Sequence, residues 1–133
     1  MYLEDGRSLG FNIPRAGKPD IYVSDPANPV PYRKRPIEPT YNPAGSGWYT
    51  WQAQDQRFLD GRKDVLTYRT EPLSKDLTTV GNLRADLFAA TSGTDSDWIV
   101  KVIDEYPNDG SKLAGYQLPI NMEVVRGRFR KSL

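Results

Sequence analysis

Six of the eleven prolines in this 133-residue chain fall between Pro26 and Pro43. A proline fixes φ and offers no backbone N–H, so this stretch can be neither a helix interior nor a central strand. It reads as an extended connection lying on a surface, and AGSGW at its end adds flexibility. Whatever the chain builds must come from the segments on either side. Irregular proline spacing argues against a ligand for a proline-recognition domain.

Those flanking segments alternate like strands. MYL and SLGFNIP bracket a turn at Asp5-Gly6, and IYVSDP is a further short extended piece. DVLTYRT runs from Asp64 to the Glu71-Pro72 break. NLRADLFAAT places Leu83, Ala85, Leu87 and Ala89 on one face with a period of two. In WIVKVIDEY, Trp98, Val100 and Val102 face one way and Ile99 and Ile103 the other, as in a central strand covered on both sides. Pro107, Asn108, Asp109 and Gly110 mark the next turn, and NMEVVRGRFR closes the series. Gln54 to Leu59 reads as a short helical turn. No repeat and no amphipathic helix of useful length is present. The length suits one domain, and many short strands with turn punctuation predict an all-β, antiparallel β-sandwich or jelly roll. Its predicted core includes Leu83, Leu87, Val100 and Val102.

Histidine and cysteine are both absent. A Ser-His-Asp or Cys-His arrangement therefore cannot be assembled from these residues alone, and neither can a disulfide or a zinc site of imidazole or thiolate ligands. Eighteen basic residues against seventeen acidic ones leave a net charge of +1, with no general attraction to nucleic acid or to an anionic membrane. No apolar run reaches a transmembrane length, and MYLEDGRSLG lacks a signal-peptide pattern. Compartment is left open. Arg126, Arg128 and Arg130, with Lys131, would form a small basic stripe on a strand face, read as solvated or salt-bridged.

Self-contained chemistry would have to rest on carboxylates, of which TDSDWIVKVIDEYPNDG holds Asp95, Asp97, Asp104, Glu105 and Asp109. At about 3.3 Å per residue, a strand separates Asp97 from Asp104 by roughly 23 Å, too far for one metal or one scissile bond. An EF-hand starting at Asp95 would need glycine and glutamate where Val100 and Tyr106 stand. One starting at Asp104 meets Asp109 and Gly115 at those positions. Asp95 and Asp97 could form a weak carboxylate pair, but acids at strand ends are ordinary punctuation. No metal and no cofactor is expected. The densest aromatic cluster is Trp48, Tyr49 and Trp51, which could cover a core edge, meet another domain, or stack on a sugar or base.

Several of these segments together resemble a known family. DVLTYRTEPL followed by GNLRADLFAAT, then TDSDWIVKVIDEYPNDG, RGRFR and the earlier IYVSDPANPVPY, are similar in kind and order to motifs of one hydrolase group. It comprises the cocaine esterases, X-Pro dipeptidyl-peptidases and α-amino-acid ester hydrolases, including glutaryl-cephalosporin acylases. The ester hydrolase and acylase branch gives the nearest pattern. The resemblance implies a C-terminal jelly roll of galactose-binding-like topology, accompanied in the parent enzyme by an α/β-hydrolase domain and a helical cap. It implies that the Ser-Asp-His triad lies upstream, so no catalytic residue transfers to this chain. The acids at Asp95, Asp97, Asp104 and Glu105 match jelly-roll positions and inherit no catalytic role. The family's jelly roll continues past the RGRFR strand, whereas this sequence stops at Leu133. Residues 1–133 are thus expected to be a partial β-sandwich, about the first half to two thirds of the domain, without the catalytic domain.

The expected function is a noncatalytic portion of a serine hydrolase that braces the catalytic and cap domains, with homo-oligomer contacts as a further expectation. A carbohydrate-binding module using Trp48, Tyr49 and Trp51 is the alternative from another class, and a carboxylate-only hydrolase is a third. The missing histidine and cysteine give a direct test. The chain alone is expected to hydrolyse nitrophenyl acetate no faster than a protein blank. Saturable turnover that survives repurification would return attention to Asp95 and Asp97.

Overall fold

The computed structural model describes residues 1–129. Two compact units divide the chain, one formed by Met1–Glu38 with Arg57–Thr79, the other by Pro39–Gln56 with the residues from Val80 onward. The division at Glu38 falls inside the proline-rich connection.

In the first unit, β1 (Tyr2–Glu4) and β2 (Ser8–Gly10) pair antiparallel, with Leu3 opposite Leu9. The expected turn joins them. Gly6 adopts φ 73° without penalty, and Arg7 follows it into the left-handed region at φ 63°, an unusual conformation for a residue with a Cβ. DVLTYRT does not form the strand its pattern predicts. It contributes one parallel bridge, Arg69 to Ser8, through Leu9 N–H to Arg69 C=O at 2.8 Å and Arg69 N–H to Arg7 C=O at 3.1 Å. Side chains hold the rest. Asp5 Oδ1 accepts from Lys18 N–H at 3.1 Å, and Tyr68 Oη donates to Asp20 Oδ2 at 2.6 Å. Arg62 donates to Asn28 C=O at 2.8 Å.

The second unit opens with β3 (Tyr41–Asn42) and β4 (Gly45–Ser46), a minimal hairpin, and one helical turn, α1 (Trp48–Gln52). Its frame is the antiparallel pair of β5 (Asp97–Glu105) and β6 (Gln117–Arg126). β5 is rich in β-branched residues, which suit a pleated surface. Tyr106 N–H to Tyr116 C=O at 2.9 Å extends the ladder by one rung. Asp109 Oδ1 accepts from Ser111 N–H at 2.9 Å in the predicted turn, where Gly110 takes φ 77°. The register shifts between Val102 and Ile103, so Ile120 has no opposite number on β5.

The chain is all-β and antiparallel in its ladders, with little helix, as its periodicity predicts. The predicted core, however, is not closed. Among the described residues no apolar side chain is fully buried. Leu83 and Leu87 are 50% and 48% exposed, and residues 82–90 belong to no helix or strand. Val100 and Val102 are half-buried. β5, expected to be central, pairs only with β6 among the described residues. A period of two records that one face of a segment is apolar; it does not say that the covering layer lies in the same stretch of chain. The basic stripe also differs from expectation, because β6 ends at Arg126 and Gly127–Phe129 form a 3-10 turn, while Arg130 and Lys131 lie outside the described residues.

Gly127 fixes the far end of the ladder. Its N–H donates to Ser96 C=O at 2.9 Å, and a Cβ there would lie 2.5 Å from that same carbonyl oxygen and 2.8 Å from the Trp98 ring. Backbone cannot yield as a flexible side-chain tip can. Gly127→Ala is therefore expected to destabilise the chain by about 1–3 kcal/mol, the usual cost of overpacking. Urea melts check this, and a midpoint equal to that of the parent sequence would contradict the close approach.

Candidate functional site

The most buried polar side chains do not belong to the acidic stretch. Gln56 and Gln117 are only 3% and 6% exposed, and both lie in the second unit. Gln56 Oε1 accepts from Lys101 Nζ at 2.7 Å while Gln56 Nε2 donates to Gln54 C=O at 2.5 Å. Tyr116 Oη donates to Ala53 C=O at 2.5 Å, and Gln117 N–H to Asp55 Oδ1 at 3.3 Å. Residues 53–56 are thereby clasped to the β5–β6 ladder by polar bonds. Lys101 interrupts the apolar run from Trp98 to Ile103, and a half-buried ammonium needs an oxygen partner. That interruption is the sequence signal by which the clasp could have been found.

The clasp positions α1 and its aromatic residues. Trp48 and Trp51 pack edge-to-face with ring centroids 5.2 Å apart, and Tyr41 from β3 meets Trp48 the same way at 6.3 Å. Trp48 remains 40% exposed and Tyr41 66%, while Trp51 is half-buried. The structure thus brings together Trp48 and Trp51 and adds Tyr41, which the local sequence cluster did not include. The side chain of Tyr49 lies outside the described residues. Rings inclined at 67° and 77° form a folded edge instead of one flat stacking platform.

The acids occupy the ends of β5. Asp97 begins the strand, and Asp104 and Glu105 end it. Asp95 Oδ1 accepts from Ser96 N–H at 2.8 Å, whereas Asp97 Oδ2 lies 3.9 Å from Arg126 Nε across the ladder, so the two neighbours serve different partners. Hydrogen bonds from Ser111 hold the Asp109 carboxyl below the usual range. Among the described residues no three carboxylates gather in a metal-binding group.

The model of the X-Pro dipeptidyl-peptidase C-terminal non-catalytic domain matches residues 7–132. This chain belongs to that family. The cocaine esterase of Rhodococcus sp. (strain MB1 Bresler) is 32% identical over 128 residues, covering 96% of this chain and 20% of the esterase. An aminopeptidase from the marine sediment archaeon Thaumarchaeota archaeon superposes with a TM-score of 0.89 at 47% identity over 98% of this chain. An α-amino acid ester hydrolase does so with a TM-score of 0.81 at 46% identity over the same share. Each of these structures is covered over 22% of its own length. The chain therefore spans about a fifth of the multidomain hydrolases it matches. It is a portion of their non-catalytic β-sandwich class.

The clasp predicts a pH signature. Burial lowers the pKa of Lys101 from the ordinary 10.5. Between that lowered value and 10.5 the unfolded chain holds a proton that the folded chain has released, so this residue makes stability rise with pH across the window. Urea melts at pH 7.5 and 9.5 should show a smaller alkaline gain in Lys101→Met than in the parent sequence. Identical pH slopes would show that Lys101 does not set the alkaline gain. Gln56→Leu, which removes the Oε1 acceptor from the ammonium, is expected to cost about 1–3 kcal/mol.

Proposed function

We propose that this chain is the noncatalytic β-sandwich portion of a serine hydrolase acting on ester or amide bonds, and that it braces the catalytic α/β-hydrolase and cap domains. The observation that carries the reading is uncovered surface. Each unit leaves large apolar side chains uncovered: Phe11 and Ile13 in the first, and Leu83, Leu87, Phe88 and Ile99 in the second, are each at least 48% exposed. A two-stranded hairpin such as β5–β6 is marginal in water without a covering layer. Membership of a family described as non-catalytic, and the absence of histidine and cysteine, support a bracing role. Residues 1–133 then work as one partial domain of galactose-binding-like topology, with 26–43 as its connection. The parent chemistry would be attack by an activated serine through an acyl-enzyme. This chain supplies none of those groups, and substrates of the acylase kind belong to the same proposal.

Carbohydrate binding is the second reading, favoured by the exposure of Tyr41 and Trp48 and weakened by their edge-to-face arrangement. Affinity electrophoresis in immobilised polysaccharides tests it, and Trp48→Ala should abolish any retardation.

Bracing is tested in the Rhodococcus cocaine esterase, by deleting its matched region or replacing it with this chain. Deletion is expected to lower the melting temperature and kcat/KM of the esterase, and the chimera to restore most of both. A deletion that leaves both unchanged would sink the bracing role.

A further inference from the structure

The first unit holds a cavity of about 590 Å³ lined by Arg7, Arg62, Lys63 and Arg69, with Asp60 its one acidic wall residue. Two backbone bonds between the Arg7–Leu9 segment and Arg69 bring Arg7 and Arg69 to one mouth from distant points in the sequence. Arg62 is set rigidly, with Nε and Nη2 donating to the two oxygens of Asp64 at 2.8 and 2.7 Å and Nη2 also to Asn28 C=O. Arg7 Nε lies 3.7 Å from its counter-ion Asp20, beyond the 2.7–2.9 Å of a charge-assisted hydrogen bond, and Arg69 is paired with Asp60. Lys63 is exposed and has no ion-pair partner among the described residues. The lining thus carries four cations against one carboxylate, with Arg7 answered at a distance and Lys63 by no carboxylate among the described residues. Leu59 and Val65 supply an apolar wall beside this charge.

We propose that this cavity is a binding site for an organic oxyanion, with a phosphate or carboxylate head toward Arg7, Lys63 and Arg69 and an apolar body against Leu59 and Val65. The volume lies within the range of small-molecule sites and greatly exceeds what one inorganic oxyanion fills. Guanidinium forks suit two-oxygen anions, and a lysine at the rim adds an adjustable point charge. The site lies apart from the aromatic edge and the acids of the second unit, and it uses no residue of the clasp.

Isothermal titration at constant ionic strength tests the site, with inorganic phosphate as the head alone and phenyl phosphate as head plus body. Both the 133-residue chain and the esterase chimera are titrated. Phenyl phosphate is expected to bind saturably and at least threefold more tightly than inorganic phosphate, in chain and chimera alike. Lys63→Glu should weaken it at least tenfold and Lys63→Arg should keep it, while Lys112→Glu, an equal charge change in the other unit, should leave it within twofold. No saturable binding, equal loss in Lys63→Glu and Lys112→Glu, or binding by the chain that vanishes in the chimera would each overturn the proposal.

Discussion

The β5–β6 ladder is the interaction on which the second unit depends. It supplies the longest run of paired backbone among the described residues. Residues 53–56 are clasped to it, and α1 follows directly before them in sequence. Its own faces are incompletely covered, with Ile99 and Val125 half exposed. Backbone hydrogen bonds define such a hairpin geometrically but contribute modestly to its net stability, because unfolded strands bond water instead. The frame is well specified and thinly supported.

That combination explains why polar contacts are prominent here. In a closed domain the apolar core supplies most of the favourable free energy, and side-chain hydrogen bonds add specificity. With no apolar side chain fully buried among the described residues, the placements of the 14–20 segment, the loop at Asn28 and the 53–56 segment rest on Asp5, Tyr68, Arg62, Gln56 and Tyr116. Desolvation and the bond to Asp20 push the Tyr68 hydroxyl up to about 12, so this clasp persists into strongly alkaline solution.

Much of the architecture was legible in the residues. The Asp5-Gly6 turn, the strand of WIVKVIDE and the Pro107–Gly110 turn all follow from local chemistry. The family was legible as well, because its motifs recur in order along the chain. Leu83 and Leu87 were misplaced for a definite reason: alternation reports the character of a face, and burial depends on what lies against it. Gln56 was missed because glutamine carries no burial signal of its own. Tyr41 was missed as a neighbour of Trp48 because the β3–β4 turn, and not sequence adjacency, brings the rings together.

The register shift at Ile120 has a consequence for how this segment can vary. Lys101 lies opposite Met122, and Glu105 lies opposite Gln117, so Met122 and Gln117 share a face although five residues of strict alternation would set them on opposite sides. The extra residue re-phases the strand and brings Gln117 to the side of the sheet that carries Lys101. Residue count between 117 and 122 is therefore a structural quantity in its own right. Side chains there can exchange within their class, but losing or gaining one residue would turn the buried glutamine outward and an apolar neighbour inward. Along this strand, evolution can change the letters far more easily than the spacing.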